Sequence, residues 1–410
     1  MSEPCPVCAN TETHLIWSKP NFEMYQFPFA DGQEISSYRM DQTIHFCGQC
    51  HHGYLWPTPD DSTLSTFYES GYSGYTSTLQ TKGLGASMND PACDYIQAEI
   101  EQRFSRKVRM AEIGGNDGYV LAQLAHLAED RLLIEPGESA AAIARHHDIP
   151  VLEAFFNQEV ADSQAGKFDI VICRYVIEHV RDPAAFVDQL ATMLAPGGIL
   201  VLEQPDLPKI LDALLVRVLI LIHLNHFSPS SLNRLVTEKC GLKTSRTAFL
   251  PSGFIVSLTQ EDSPSAATNS GDPRAIDAEP VILANAESFY QRLEAQNSKL
   301  SKIISRWHAD GKQIWVWGAG TAGGELFNLY GLPFDRFRGY IDSDPGKVGM
   351  RFTGAPQLPI CSPTDAQDKG LDAVLVATFS VGEVLNTIHE LGWEADVVAL
   401  HNAETYHVGR

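Results

Sequence analysis

Basic side chains are scarce in this 410-residue chain, where 30 Lys and Arg stand against 51 Asp and Glu for a formal net charge of −21. A surface field of that sign repels phosphate backbones and anionic lipid headgroups, so neither nucleic acid nor a membrane surface is expected as a partner. A long apolar run is missing too. The most apolar stretch, 207–227, is broken by Lys209, Asp212, Arg217, His223 and Asn225. Its longest polar-free piece falls far short of the roughly 20 residues that cross a bilayer, and the stretch reads as a buried helix. No basic segment followed by an apolar core opens the sequence, so no secretory leader is expected and the cytoplasm is the expected compartment. There the eight cysteines point to metal or free thiols rather than disulfides. What is present is globular: 44% apolar and 20% charged residues exclude a disordered chain. At roughly 100–200 residues per domain, the length allows two to four domains.

Four of the cysteines form two knuckles, Cys5-Pro-Val-Cys8 and Cys47-Gly-Gln-Cys50. Each places two thiolates on a tight turn. Together Cys5, Cys8, Cys47 and Cys50 supply the closed tetrahedral shell that structural zinc prefers. No βαβ pattern surrounds either pair, which weighs against a redox dithiol. His51 and His52 follow the second knuckle, where either could substitute for one sulfur, and are otherwise assigned to the surface.

From Val108 the pattern turns to strands followed by helical runs, the mark of doubly wound sheets. Val108-Arg-Met-Ala-Glu-Ile113 reads as a strand, runs into Gly114-Gly115-Asn116-Asp117-Gly118, and is followed by a helical run over 119–127. Such a turn lets backbone approach a cofactor and aims a helix N-terminus at it. The next strand ends at Glu135, 17 positions after Gly118, where a carboxylate can accept both hydroxyls of a ribose. Phe168-Asp-Ile-Val-Ile-Cys173 is a buried strand that delivers Arg174, Tyr175, Glu178 and His179 to its C-terminal edge, the ligand-binding edge of open α/β sheets. A run of turn formers and acids after Gln260 marks a boundary. Beyond a long helix over 281–310, Gln313-Ile-Trp-Val-Trp317 leads into Gly318-Ala-Gly320-Thr321-Ala-Gly323-Gly324, and the following strand ends at Asp342, 19 positions after Gly323. By spacing, this second turn fits the dinucleotide fingerprint better than the first. The expected fold class is α/β: two Rossmann-like doubly wound sheets plus a small N-terminal zinc-binding domain, divided at 1–88, 89–260 and 281–410.

These residues together resemble the three-part sugar C-methyltransferases that act on nucleotide-linked 4-keto-deoxysugars. The likeness is carried by the paired knuckles, by Glu112-Ile-Gly-Gly-Asn-Asp-Gly118, by Glu178-His179, and by Gly318-Ala-Gly320 with Tyr340-Ile-Asp342. It covers nearly the whole chain and implies S-adenosylmethionine (SAM) as cofactor beside the structural zinc. It further implies that Glu112, Gly114, Gly115, Asn116, Asp117, Gly118, Glu135, Pro136, Ala154, Phe155, Arg174 and Tyr175 line the cofactor site. Asp117 would meet the methionine end, Glu135 the ribose, and Phe155 or Phe156 the adenine. His179 is the expected general base, with His223 and His226 orienting the acceptor from one helical face and Tyr72 and Tyr75 lining its pocket. Gly318, Gly320, Thr321 and Asp342 are expected to help hold the nucleotide-sugar acceptor, in a monomer or homodimer.

The resemblance has one departure: that family's Tyr-His-Glu-His-Leu-x-Tyr-Phe-Ser segment corresponds here to Ile220-Leu-Ile222-His223-Leu-Asn-His226-Phe-Ser228. Its first tyrosine and its glutamate are isoleucines. Two alternatives therefore stay open, a SAM-dependent methyltransferase acting on a non-sugar carbon, N or O acceptor, and an NAD- or nucleotide-binding protein that uses the C-terminal glycine site.

Overall fold

The computed structural model describes residues 3–23, 28–30, 38–64, 77–81, 84–260, 269–270, 274, 277–324, 326–352, 354–378 and 381–409. Three strands open the chain: β1 (Thr13–Glu23), β2 (Arg39–Cys47) and β3 (Gly53–Leu55). They are followed by β4 (Val108–Ile113), β5 (Ala128–Ile134), β6 (Val151–Leu152), β7 (Phe168–Arg174) and β8 (Leu194–Gln204). Next come β9 (Asn225–His226), β10 (Leu242–Phe249), β11 (Phe254–Gln260) and β12 (Asn269–Ser270). The last group is β13 (Ile314–Trp317), β14 (Phe337–Ile341), β15 (Ile360–Cys361), β16 (Ala373–Val376), β17 (Ala395–Ala399) and β18 (Thr405–Val408).

These strands make three sheets, and the fold is mixed α/β with two parallel-rich, Rossmann-like layers. The first sheet, β1-β2-β3-β9, is antiparallel and takes its last strand from far along the chain. The second has order β12-β10-β11-β8-β7-β4-β5-β6, and the five strands from β8 to β6 run parallel. The third is β15-β14-β13-β16-β17-β18, parallel except at β18. Every residue of β7 is buried, as are all of β13 and β16. Continuous apolar runs of this kind mark parallel strands covered on both faces. In the second sheet the chain reverses its winding between β4 and β7, so the C-terminal ends of those two strands open the crevice where ligands bind in such sheets.

Helix α1 (Leu84–Arg103) leads into β4, and α2 (Tyr119–Gln123) follows the glycine turn. Helix α3 (Leu207–Asp212) begins the apolar stretch, and α4 (Glu279–Ala309) lays Ile282, Ala286, Phe289, Leu293 and Leu300 against the core along one face. Among the described residues no helix is long and apolar enough to cross a membrane.

The stretch 207–227 is not one buried helix. After α3 the backbone turns at Leu214, whose φ is +52°. A left-handed residue cannot continue a right-handed helix. A single 3-10 turn, Val216–Val218, and the short strand β9 follow. The apolar side chains Leu219, Ile220, Leu221, Ile222 and Leu224 are still buried. Burial, not helical periodicity, is what their composition reports.

Candidate functional site

The glycine turn 114–118 sits at the crevice. Gly114 and Gly118 have φ of +65° and +74°, which L side chains adopt at a cost, and a Cβ on Gly118 would lie 2.7 Å from Ile149 Cδ1. Gly115 is held by a different constraint, because its Cβ would fall 2.5 Å from Cδ of Glu112. The Glu112 carboxyl therefore lies directly beneath the turn. It is buried, its Oε2 has no hydrogen-bond partner, and burial raises its pKa to about 8. A cationic or hydrogen-bonding ligand over the turn would relieve that orphaned oxygen.

At the end of β5, Glu135 accepts backbone hydrogen bonds from Asn116 (3.0 Å) and Gly137 (2.9 Å). Burial holds its pKa above the usual carboxylate range. Each oxygen keeps lone-pair capacity for a further donor such as a ribose hydroxyl. Pro136 and Ala154 are half-buried near the ends of β5 and β6, and Phe155 is half exposed whereas Phe156 packs edge-on against Phe186. Of the two phenylalanines, Phe155 presents the open ring.

Asp117 and the pair at the end of β7, Arg174 and Tyr175, are engaged within the protein. Asp117 Oδ2 accepts from Ser77 Oγ (2.7 Å) and from the backbone of Leu79 (2.8 Å), stapling the segment at 77–81 onto the turn. Arg174 Nε donates to Glu203 Oε2 at 2.5 Å and Tyr175 Oη to Glu203 Oε1 at 2.6 Å. Tyr175 holds a left-handed backbone (φ +54°) while its N–H bonds the Glu203 carbonyl. Glu203, fully buried at the end of β8, thus orients the residues that lead to His179. Sequence reasoning missed it because its partners lie on a neighbouring strand.

Past β7, a 3-10 turn, Ile177–His179, presents Glu178 and His179. His179 Nδ1 donates to the Ile222 carbonyl at 2.9 Å, and the ring also hydrogen-bonds the backbone of Tyr175. The His179 and His223 rings meet edge-on at 4.8 Å between centroids, and His226 lies 6.2 Å from His223. The expected trio is therefore brought together, though not by a helix, since His223 is in a turn and His226 is on β9. Burial keeps all three imidazoles neutral, with His179 lowered to about 4 and His226 to about 3. Glu178 is buried below them with Oε2 unpartnered, its pKa raised to about 8 by desolvation, and ligand atoms of Glu178, His179 and His223 lie within 4.8 Å of one another. Tyr72 and Tyr75 lie outside the described residues.

The cysteine cluster is a second constellation. Ligand sulfurs of Cys5, Cys8, Cys47 and Cys50 lie within 4.8 Å of one another, with Cys5–Cys50 and Cys8–Cys47 at 3.5 Å. A tetrahedron of Zn–S bonds near 2.3 Å has edges of about 3.8 Å, so the donor set fits that ion. His51 and His52 are not on the surface: they are 9% and 0% exposed. The chain passes inward after the knuckle because β3 pairs with β9, placing Gly53 opposite His226.

In the C-terminal sheet, Ala319 N donates to Asp342 Oδ2 at 2.8 Å and Lys347 Nζ lies 3.3 Å from the same oxygen. Gly318 has φ +109°, no described atom lies within 4 Å of a Cβ placed on Gly320, and Thr321 begins a short helix, Thr321–Gly324.

Residues 86–245 match the family described as a methyltransferase domain, and residues 278–393 match the C-methyltransferase C-terminal domain. The two matches, in this order along one chain, support a multidomain SAM-dependent C-methyltransferase organisation. It is 28% identical over 274 residues to C-methyltransferase NovU of Streptomyces niveus, covering 63% of each chain. A ubiquinone biosynthesis O-methyltransferase of Acinetobacter baumannii (strain ACICU) is 33% identical over 102 residues, 22% of this chain and 40% of that one. The chain thus spans less than two thirds of the length of either relative. The structure of magnesium protoporphyrin IX methyltransferase from Synechocystis PCC 6803 overlays at 16% identity with a TM-score of 0.38, over 49% of this chain and 100% of that one.

Proposed function

We propose that the protein transfers the methyl group of SAM to a carbon next to a carbonyl, and that the acceptor is a nucleotide-linked keto-deoxysugar. The observation that carries this reading is the cluster of neutral imidazoles one strand away from the glycine turn. Such a carbon becomes a nucleophile only when it loses a proton, and a buried neutral imidazole can take it. SAM, when bound, supplies the electrophilic methyl. Glu112, the turn 114–118, Glu135 and Phe155 would hold it. His179 then accepts the proton, while the Ile222 carbonyl, hydrogen-bonded to Nδ1–H, orients the ring and stabilises the imidazolium that forms. His223 and His226 flank the acceptor. Zinc in the four-cysteine site would be structural, because four sulfurs leave no open coordination position.

The replacement of tyrosine and glutamate by Ile220 and Ile222, both 4% exposed, supports a second reading, a different acceptor at the same base. It leaves the base intact, since Ile222 holds His179 through its main chain.

The experiment is mass spectrometry of the protein with SAM and dTDP-, GDP- and CDP-linked 4-keto-deoxysugars. Methylated sugar is expected, with His179→Asn binding SAM normally and losing about 10²- to 10⁴-fold in turnover. Full turnover by that variant would refute the base. Demethylated cofactor appearing only with non-sugar acceptors would establish the second reading.

A further inference from the structure

The histidine cluster is tied to the cysteine knuckle by a chain of hydrogen bonds whose polarity is forced. The Val180 carbonyl can only accept, so the Asn225 amide nitrogen faces it, at 2.7 Å. Asn225 Oδ1 therefore faces His52, 3.1 Å from Nε2, and His52 must donate from that nitrogen. His52 is fully buried, with its ring 4.7 Å from Phe227. Its own backbone is part of the knuckle, since Cys47 N–H bonds the His52 carbonyl at 2.9 Å and His51 N–H bonds the Cys47 carbonyl at 2.9 Å.

This chain meets the site where two segments must be held in register. One is the turn ending at His179, and the other is the run from Ile222 to His226. They are clasped twice, once by His179 Nδ1 on the Ile222 carbonyl and once by Asn225 on the carbonyl of Val180, the residue after His179. Pairing of β3 with β9 and the Leu55 N–H bond to the Leu224 carbonyl (3.0 Å) fix the second segment to the first sheet. A Cβ on Gly53 would lie 3.1 Å from Cβ of His226, which leaves little slack.

We propose that His52 and Asn225 are positioning residues for methyl transfer, carrying the geometry of the cysteine knuckle to His179 and His226 without contact with the acceptor. The inference rests on the reading that the acceptor reacts at the histidine cluster. Displacing a reacting group by about 1 Å costs on the order of 10²-fold in rate while binding is kept. The effect should therefore fall on kcat and spare both KM and SAM affinity.

The test uses full-length protein with His52→Leu, His52→Gln and Asn225→Asp. Aspartate keeps the size but cannot donate to Val180, leucine cannot donate to Asn225, and glutamine can. Expected are kcat losses of about 10- to 100-fold for His52→Leu and Asn225→Asp, with SAM binding and about one metal per chain retained, and recovery of most of the rate in His52→Gln. In ¹⁵N-histidine spectra, the His179 ring nitrogens should shift in Asn225→Asp and return toward wild type in His52→Gln relative to His52→Leu. Wild-type kcat and an unmoved His179 resonance in folded, metal-loaded variants would overturn the proposal. If Asn225→Asp fails to fold, the leucine and glutamine pair at His52 decides alone. If the wild type methylates none of the keto-sugars, the functional reading fails, while the His179 resonances still decide the positioning role.

Discussion

The turns 114–118 and 318–324 each follow a central parallel strand and each face an acid at the end of the next strand, yet the two acids are used differently. Glu135 receives two backbone N–H groups and sits near Glu112, a buried carboxyl raised to about 8. Asp342 receives Ala319 N and Asp344 N and is neutralised by Lys347 within its own chain. By spacing, the second turn is the better nucleotide fingerprint. By charge, the first is the one with unmet demand for a ligand. Spacing reports the turn, and the balance of charge around the acid reports what the turn awaits.

The sharpest break of this comparison is a pair of acid deletions. Glu135→Ala should weaken SAM binding by about 100-fold in calorimetry, as lost charge-assisted hydrogen bonds of about 1.5–3 kcal/mol imply. Asp342→Ala should leave SAM binding unchanged. Equal losses would mean that both turns serve one ligand. The glycines sharpen the contrast on the side of stability. A Cβ on Gly323 would lie 2.1 Å from the Gly318 carbonyl oxygen, whereas none of the described atoms lies within 4 Å of one on Gly320. Gly323→Ala should therefore lower stability by about 1–3 kcal/mol in denaturant unfolding while sparing SAM affinity, and Gly320→Ala should leave both stability and SAM affinity unchanged. A silent Gly323→Ala would show that the second turn can relax and is not fixed by its own backbone.

The strand, turn and helix order around both glycine runs was legible in the sequence because it is local: apolar runs, glycines and a terminal acid follow one another within about thirty residues. The histidine site was legible only in its parts. His179, His223 and His226 stand out as polar residues in apolar surroundings, but their meeting depends on β9 pairing with β3, some 170 residues earlier, a pairing with no local signature. His52 was misread as exposed for the same reason, since the partner that buries it is remote. Leu214 shows the other failure. Its left-handed backbone ends a helix that composition alone would extend, because a leucine there carries none of the glycine signal that announces such a turn.

A last contrast concerns Glu112 and separates the two turns by pH. Its folded pKa of about 8 lies above the ordinary glutamate value of 4.5, with burial as the chief cause. The native state therefore holds a proton that the unfolded chain releases, so stability is fully present below about pH 4.5 and falls as pH rises toward 8. Glu112→Gln cannot lose that proton. Other groups titrate alike in both proteins, so the difference between their thermal midpoints from pH 5 to 8 isolates this carboxyl; the variant should gain on the wild type by about 7–14 °C, from about 3.5 kcal/mol of linkage at about 2–4 °C per kcal/mol. A cation bound over the turn would favour the ionised carboxylate and shrink the difference, so saturating SAM should flatten the wild-type slope. If SAM leaves the slope untouched, the cofactor's positive charge does not lie near Glu112, and the unmet demand at the first turn belongs to another ligand.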